Sequence, residues 1–330
     1  MPAVIAAVRV RLRSIQAMSQ AMSQAGSPVE LRWRPDWPCS VGSALRIHRR
    51  GGGDPTYRID EAGVHWRGIR TPDGPATLAI APNRDGEVRA RAWGAGAQWA
   101  IDSVPRLLGV EDDATGFEPM HPAVGEGMRR YQHLRFGRSD RVMEALVPAI
   151  LEQKVTGKEA FGGFRALVHR YGERAPGPGE SLRLWIQPDP ARIATVPSWE
   201  WLKMHVDPQR SRTLVAACRL ADSLERLGSV GTAEADKRLR SLPGIGVWTS
   251  AEVRQRALGD PDAVSFGDYH LAKQVVWALL GHDIDDAELA RVLEPYRPQR
   301  GRAAMYALLG GVQRPRRGPR MSLPTHYPSR

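Results

Sequence analysis

Between two helical stretches the chain reads Leu242-Pro243-Gly244-Ile245-Gly246, and few architectures accommodate such a break. A helix is expected to end at Leu242, the next four residues turn sharply, and a second helix starts near Val247. The two glycines let the main chain approach a partner with no Cβ in the way. The second helix offers unpaired N–H groups at its positive end. Such a hairpin holds a phosphate through main-chain donors. It reads no base, so it positions a duplex without selecting a sequence. The plain alternative is an αα-turn closed by a glycine C-cap, and Gly-x-Gly alone would satisfy that reading.

Helical signals surround the hairpin. Ser139–Asp140 are expected to cap a helix running through VMEALVPAILEQ. Thr156 opens the next, which ends at Tyr171–Gly172. Asp207–Pro208 pairs an N-cap with proline at the first helical position, and that helix ends near Gly228. Thr232 and Asp285 open two more, and residues 299–313 form a last one. Asp268 begins a further helix, 22 residues beyond Gly246.

Residues 29–93 read differently. VELRWRPDW, PTYRID, GVHWRGIR, PATLAI and EVRARAW are strand-like, and DEAG, TPDG and PNRDG between them suit tight reversals. A small antiparallel sheet is expected, with GAGAQWAIDSVPRLLGV (94–110) returning across it as a helix. The expected fold is therefore α+β by segregation. A β-rich domain spans 29–112, and an all-α domain of about eight to ten helices spans 113–314. Residues 1–28 read as a disordered tail in which AMSQ occurs twice, with Met18 and Met22 as candidate alternative starts. Residues 315–330 read as a basic, irregular tail. No period of 20–50 residues recurs, which excludes a solenoid.

Charge narrows the partner. Lysine and arginine number 47 against 36 acidic residues, a net charge of +11. Lysine occurs only at Lys154, Lys158, Lys203, Lys237 and Lys273, so the rest is arginine. Arginine suits bidentate phosphate contact, although a GC-rich genome would also favour its codons. A polyanion, most simply nucleic acid, is the expected partner. Cys39 and Cys218 cannot build a disulfide framework or a four-thiolate cluster, so the chain reads as intracellular with reduced thiols; a cytoplasmic location, at the nucleoid, is what a nucleic-acid partner would imply. No apolar run approaches the roughly 18–20 residues of a membrane span, so no membrane partner is expected.

The pattern L-P-G-I-G-V-W-T-S resembles the helix-hairpin-helix of DNA repair glycosylases. AILEQKVT (149–156) resembles the A-I-L-x-Q-x-V-[ST] helix of bacterial 3-methyladenine DNA glycosylase II. LRWRPDW near the start also looks like that family's opening, and the order of domains agrees. The likeness covers roughly residues 29–313, strongly at 144–160 and 239–281.

This resemblance implies a monofunctional enzyme of base-excision repair. It would flip an alkylated purine, of the 3-methyladenine or 7-methylguanine type, out of double-stranded DNA and hydrolyse its N-glycosidic bond, leaving an abasic site. Such a base already carries positive charge and leaves without a strong general acid. Asp268 occupies the position of the superfamily's aspartate, where a carboxylate stabilises an oxocarbenium-like sugar and orients water. Pro243, Gly244, Ile245, Gly246 and Thr249 would grip the phosphates. Bifunctional relatives carry a lysine two residues after the second hairpin glycine; Trp248 stands there, as it does in glycosylase II.

Several positions depart from the family. The wedge that fills the gap left by a flipped base follows Gln153 and is leucine-like in the family; Lys154 occupies it. As a wedge it would intrude with its stem. A phosphate contact, a solvated lysine or a nucleophile toward the abasic product are the other readings. In the base pocket Trp248 is retained, either stacking or packed in the core. Glu252 replaces a tyrosine, and Leu308 replaces a tryptophan with Tyr306 close by. The carbonyls of Arg240, Leu242 and Ile245 match those that hold a monovalent cation (Na or K) in the superfamily; no cofactor is otherwise required. His270 reads as a structural hydrogen-bonding residue, with no set of metal ligands around it. The enzyme would act as a monomer. A glycosylase for deaminated, oxidised or bulky lesions remains open, as does a non-catalytic binder of bent or damaged DNA.

Overall fold

A computed structural model describes residues 26–82, 85–268, 271–282 and 285–311. The two tails expected from the sequence lie outside it, apart from residues 26–28. Five strands form one antiparallel sheet: β1 (Val29–Trp33), β2 (Tyr57–Ile59), β3 (His65–Thr71), β4 (Gly74–Ala81) and β5 (Val88–Trp93). The order is β1-β5-β4-β3-β2, so the first strand returns to pair with the last.

Both faces of the sheet are covered. Ile69, Leu78, Ile80, Val88 and Ala90 point to one side. There they meet helix α1 (Ala97–Leu107), whose Ile101, Val104 and Leu107 complete that core. Trp66, Ala79 and Trp93 point to the other side, with the two indoles stacked at 5.8 Å. The alternation of β3 and β5 alone leaves those tryptophans facing solvent. A segment from the helical half covers them: Glu173–Arg174 pairs with Trp185–Ile186 as β6 and β7, and Ala175, Leu184 and Ile186 lie on the indoles. The absence of a side chain at Gly68 permits this docking, because a Cβ there would come within 2.1 Å of the Trp185 carbonyl oxygen.

The longer helices of the second half are α2 (Pro122–Arg130), α3 (Val142–Leu151), α4 (Gly157–Tyr171), α5 (Pro208–Arg219) and α6 (Thr232–Arg240). They continue with α7 (Val247–Val253), α8 (Leu271–Leu280), α9 (Asp286–Leu293) and α10 (Arg300–Gly310). Single helical turns lie between several of them. Two apolar clusters divide these helices. One joins α3 through α7, with Leu146, Ile150, Leu167 and Leu214 almost fully buried. The other joins α2, α8, α9 and α10 around Val124, Val275, Leu289 and Tyr296. The sheet-on-helix unit followed by a helical bundle is the α+β arrangement expected above. Among the described residues, no helix is long and apolar enough to cross a membrane. Cys39 and Cys218 are both buried, and burial pushes their thiols up to about 11 and about 12.

Side-chain caps form at several of the expected helix starts, but not at Thr232, which lies inside α6 behind a Gly231 N-cap. Thr156 and Glu159 form a reciprocal capping box on α4. Asp207 accepts from the Gln209 and Arg210 N–H groups at the start of α5, and Asp285 accepts from Glu288 N at α9. α3 departs from the expectation. Asp140 does not cap it; its backbone is left-handed (φ 54°) and its carboxylate is held by Arg106 (2.7 Å) and Arg138 (2.5 Å). Glu225 supplies the cap instead, accepting from the Val142 and Met143 N–H groups at 2.8 and 3.2 Å. That carboxylate comes from 83 residues away.

Two glycines with opposite surroundings give a stability test. Gly68→Ala is expected to destabilise the protein by about 2 kcal/mol or more, because backbone must shift to relieve the clash. Gly162 lies inside α4 with nothing within 4 Å of an added Cβ. Gly162→Ala is expected to stabilise by about 0.5–1 kcal/mol through helix propensity. Urea unfolding of both variants checks the two signs.

Candidate functional site

The hairpin is built from inside. α6 ends at Arg240, Gly244 turns the chain in the left-handed region (φ 86°), and Ile245 drops into the first helical cluster. A Cβ at Gly244 would also meet Thr213 Oγ1 at 2.3 Å, so this position needs glycine for both its φ and its neighbour. Gly246 then caps α7 with no side-chain hydrogen bond. Nothing lies within 4 Å of a Cβ built on Gly246, so this side of the turn is open. Pro243, Gly244, Gly246 and Val247 are exposed, while Thr249 is buried beneath them. The Leu242 carbonyl accepts the Ile245 N–H at 3.1 Å, which closes the turn. It shares this turn with the Arg240 and Ile245 carbonyls.

Gln153 braces this loop. Its Nε2 donates to the Gly244 carbonyl (2.9 Å) and to Thr249 Oγ1 (2.8 Å). The turn after α3 is itself fixed from behind, where the buried Arg210 donates to the Leu151 carbonyl at 2.7 Å. Lys154 follows with a left-handed backbone (φ 54°) and is exposed at the outer corner of this turn. The structure therefore brings Gln153, Lys154 and the hairpin together.

Asp268 stands at the head of α8. Its Oδ1 accepts the Leu271 N–H at 2.9 Å, and its own N–H donates to the Ser265 carbonyl at 3.2 Å. The carboxylate is therefore fixed at the positive end of a ten-residue helix. Tyr269 and His270 lie outside the described residues.

The residues expected to line one base pocket sit in different surroundings. Trp248 is partly buried against the first helical cluster. Tyr306 is buried in the second, beside Phe117 at 5.8 Å, and Leu308 packs on that same cluster. Packing thus occupies Tyr306, and the structure does not bring its ring and Trp248 into one cluster. Glu252 reaches toward the segment before Asp268. One of its oxygens accepts the Ser265 Oγ–H (2.6 Å) and the other pairs with Arg256 (2.7 Å). Among the described residues, no group of histidine, cysteine and acidic side chains is arranged to hold a metal.

Residues that the sequence did not single out complete the site. Arg256, in the π turn (Arg254–Leu258) that follows α7, also donates to the Ile47 carbonyl of the sheet domain at 3.1 Å. His48, half-buried, and Arg50, buried, come from the same stretch. His48 is held well below its usual range by burial first, then by the charges of Arg67, Arg256 and Arg50. Glu152 ends α3 and faces Arg50. Burial raises its carboxyl above the usual range, and the charges of Glu252 and Asp268 add to this; those of Arg50 and Arg256 oppose it. The available sequence signal was an acidic residue at the C-terminal end of an apolar helix, where the dipole disfavours negative charge.

No family model matches the chain. The DNA-3-methyladenine glycosylase of Bacillus subtilis (strain 168) is 24% identical over 189 residues, which are 54% of this chain and 62% of that protein. The probable bifunctional transcriptional activator/DNA repair enzyme AlkA of Mycobacterium tuberculosis is 31% identical over 182 residues, 50% of this chain and 34% of that protein. The chain thus spans less than two thirds of either relative. The 3-methyladenine DNA-glycosylase structure from Archaeoglobus fulgidus shares the fold, with a TM-score of 0.69 at 18% identity, covering 84% of this chain and 97% of that one. The chain is thus similar in sequence to DNA-3-methyladenine glycosylase and AlkA proteins over about half its length, and it shares the fold of a 3-methyladenine DNA-glycosylase structure.

The Gln153 brace generates a direct test. Gln153→Ala removes both hydrogen bonds and leaves the Gly244 carbonyl without that donor. About 1–2 kcal/mol of stability should be lost, and amide exchange should quicken at Ile245 and its neighbours. Urea titration and hydrogen exchange read the two effects.

Proposed function

We propose that this chain is a monofunctional DNA N-glycosylase that excises flipped, alkylated purines and leaves an abasic site. The observation that carries the reading is the placement of Asp268. Its carboxylate is seated at the start of α8, and its charge acts on Glu152, the neighbour of the Gln153 that braces the hairpin. As the glycosidic bond breaks, positive charge develops on the sugar. A carboxylate already fixed in place stabilises that charge without reorganising at the moment of reaction. Mere DNA binding gives no use for such a group, because it repels phosphate.

The remaining parts follow from the same geometry. The open face at Gly246 admits a phosphate to the N–H groups that begin α7. A monovalent cation at the Arg240, Leu242 and Ile245 carbonyls would add to that grip. Lys154 projects from the turn, where its stem can enter the stack beside an extruded nucleotide and its ammonium can meet phosphate. A base that is already cationic leaves with its bonding electrons and becomes neutral, so the carboxylate of Asp268 suffices. With Trp248 at the position of the lyase lysine, water rather than an amine takes the sugar carbon. The chain acts on double-stranded DNA as a monomer.

Two measurements test this reading. Asp268→Asn should lower release of N-methylated purines from duplex DNA by about 10²-fold or more, while leaving duplex affinity equal or tighter. Strand breaks should appear only after alkali. Undiminished release by the variant would overturn the assignment. Affinity of the wild type should also fall steeply as salt rises, as it does when Lys and Arg displace counterions from phosphates.

A further inference from the structure

The aspartate mechanism leaves a second carboxyl group of the site unused. Glu152 sits directly before Gln153, with 18% of its side chain exposed. Its Oε1 is buried and accepts no hydrogen bond among the described residues. Arg50 Nε lies 3.7 Å away, beyond hydrogen-bonding reach. The charges that act on Glu152 come from Arg50, Arg256, Glu252 and Asp268, so it shares its electrostatic environment with the aspartate. Burial outweighs the two arginines and favours the neutral, proton-bearing acid. Glu252 is the other acid nearby, and both its oxygens are engaged, by Ser265 and by Arg256. Asp268 is engaged by the Leu271 N–H. Glu152 is thus the acid of this group whose carboxyl accepts no hydrogen bond among the described residues, while part of its side chain reaches the surface.

We propose that Glu152 is the proton donor to the departing base, which extends the site to bases that carry no charge of their own. The assignment rests on the N-glycosylase reading above. When the C1′–N bond breaks, its electron pair goes to the base. The Glu152 proton moves to a ring nitrogen, so that an uncharged base leaves as a neutral molecule. The sugar cation that forms faces Asp268. Water adds its oxygen to C1′, and the proton it sheds returns to the Glu152 carboxylate. The products are free base and abasic sugar, and both carboxyl groups end as they began. A purine alkylated at N3 or N7 needs no such proton; a deaminated purine does. Glu152 therefore decides substrate range while Asp268 serves every substrate.

The test compares two duplexes, one carrying 7-methylguanine and one carrying hypoxanthine, in single-turnover release across pH values on both sides of neutrality. Wild type should release both. Its hypoxanthine rate should fall as pH rises through the Glu152 titration, because the acid form is required, and its 7-methylguanine rate should lack that fall. Glu152→Gln should lower hypoxanthine release about 10²-fold more than 7-methylguanine release and abolish the pH-dependent fall. Asp268→Asn should depress both rates alike. Equal losses on the two substrates with Glu152→Gln would overturn the proposal. So would a wild type that releases 7-methylguanine but not hypoxanthine, or whose hypoxanthine rate does not fall with pH; neither observation needs a variant to fold. A wild type that releases neither base removes the glycosylase reading and this assignment with it.

Discussion

The Gln153 carboxamide donates to the Gly244 carbonyl and to Thr249 Oγ1, and the geometry of the cleft follows from that bridge. It ties the turn after α3 to the turn before α7, two loops 91 residues apart in the chain. Each loop is independently held: Arg210 fixes the first through the Leu151 carbonyl, and the Thr213 side chain abuts Gly244 in the second. The bond to Thr249 is part-buried and the bond to Gly244 lies at the surface, and because one carboxamide makes both, displacing either loop breaks the bridge. The residues flanking Gln153 inherit that rigidity. Glu152 is directed inward and Lys154 outward from the same three-residue turn.

The sheet domain does more than precede the bundle. Its Ile47 carbonyl accepts from Arg256, its Arg50 faces Glu152, and its buried Arg67 pairs with Glu144 on α3. A polar cavity of about 40 Å³ lies along this seam, lined in part by His48, Arg50, Glu144 and Arg256. That is room for a few waters, which would satisfy groups the protein leaves without partners. Bringing so many guanidinium groups out of bulk water is costly unless acids meet them. The acids present are shared, and Glu152 is the one left without a hydrogen bond among the described residues.

Features encoded by neighbouring residues were legible in the sequence. Gly, Pro and Asp turns delimit the strands, Thr156 with Glu159 opens α4, and Asp207–Pro208 opens α5, because each depends on contacts a few residues apart. The hairpin and the seat of Asp268 were legible for the same reason. Long-range partners were not. Glu225 caps α3 from across the bundle, and the covering of Trp66 and Trp93 by residues 175–186 has no local signature. Tyr306 reads as a ring near a base by position, yet Phe117 and the second cluster occupy it. The sequence analysis did not single out Glu152, whose burial depends on Arg50 and Arg256 arriving from distant segments.

The covering of the sheet also bears on the order in which the chain can acquire its structure. Synthesis runs from the N-terminus, and domains generally fold as units as they emerge. This sheet has all its strands by Trp93 and one core by α1. Its other face stays wet until Ile186 has been made, 93 residues later. During that interval two indoles and the edge strand β1 are presented to whatever else is nearby. Charged side chains, Arg32, Arg89 and Arg91 among them, lie on that region, and charge on an edge disfavours strand pairing with another chain. Closure of the sheet and placement of α3 and α4 are then parts of one late event, which makes the N-terminal unit an apprentice to the bundle rather than a scaffold for it.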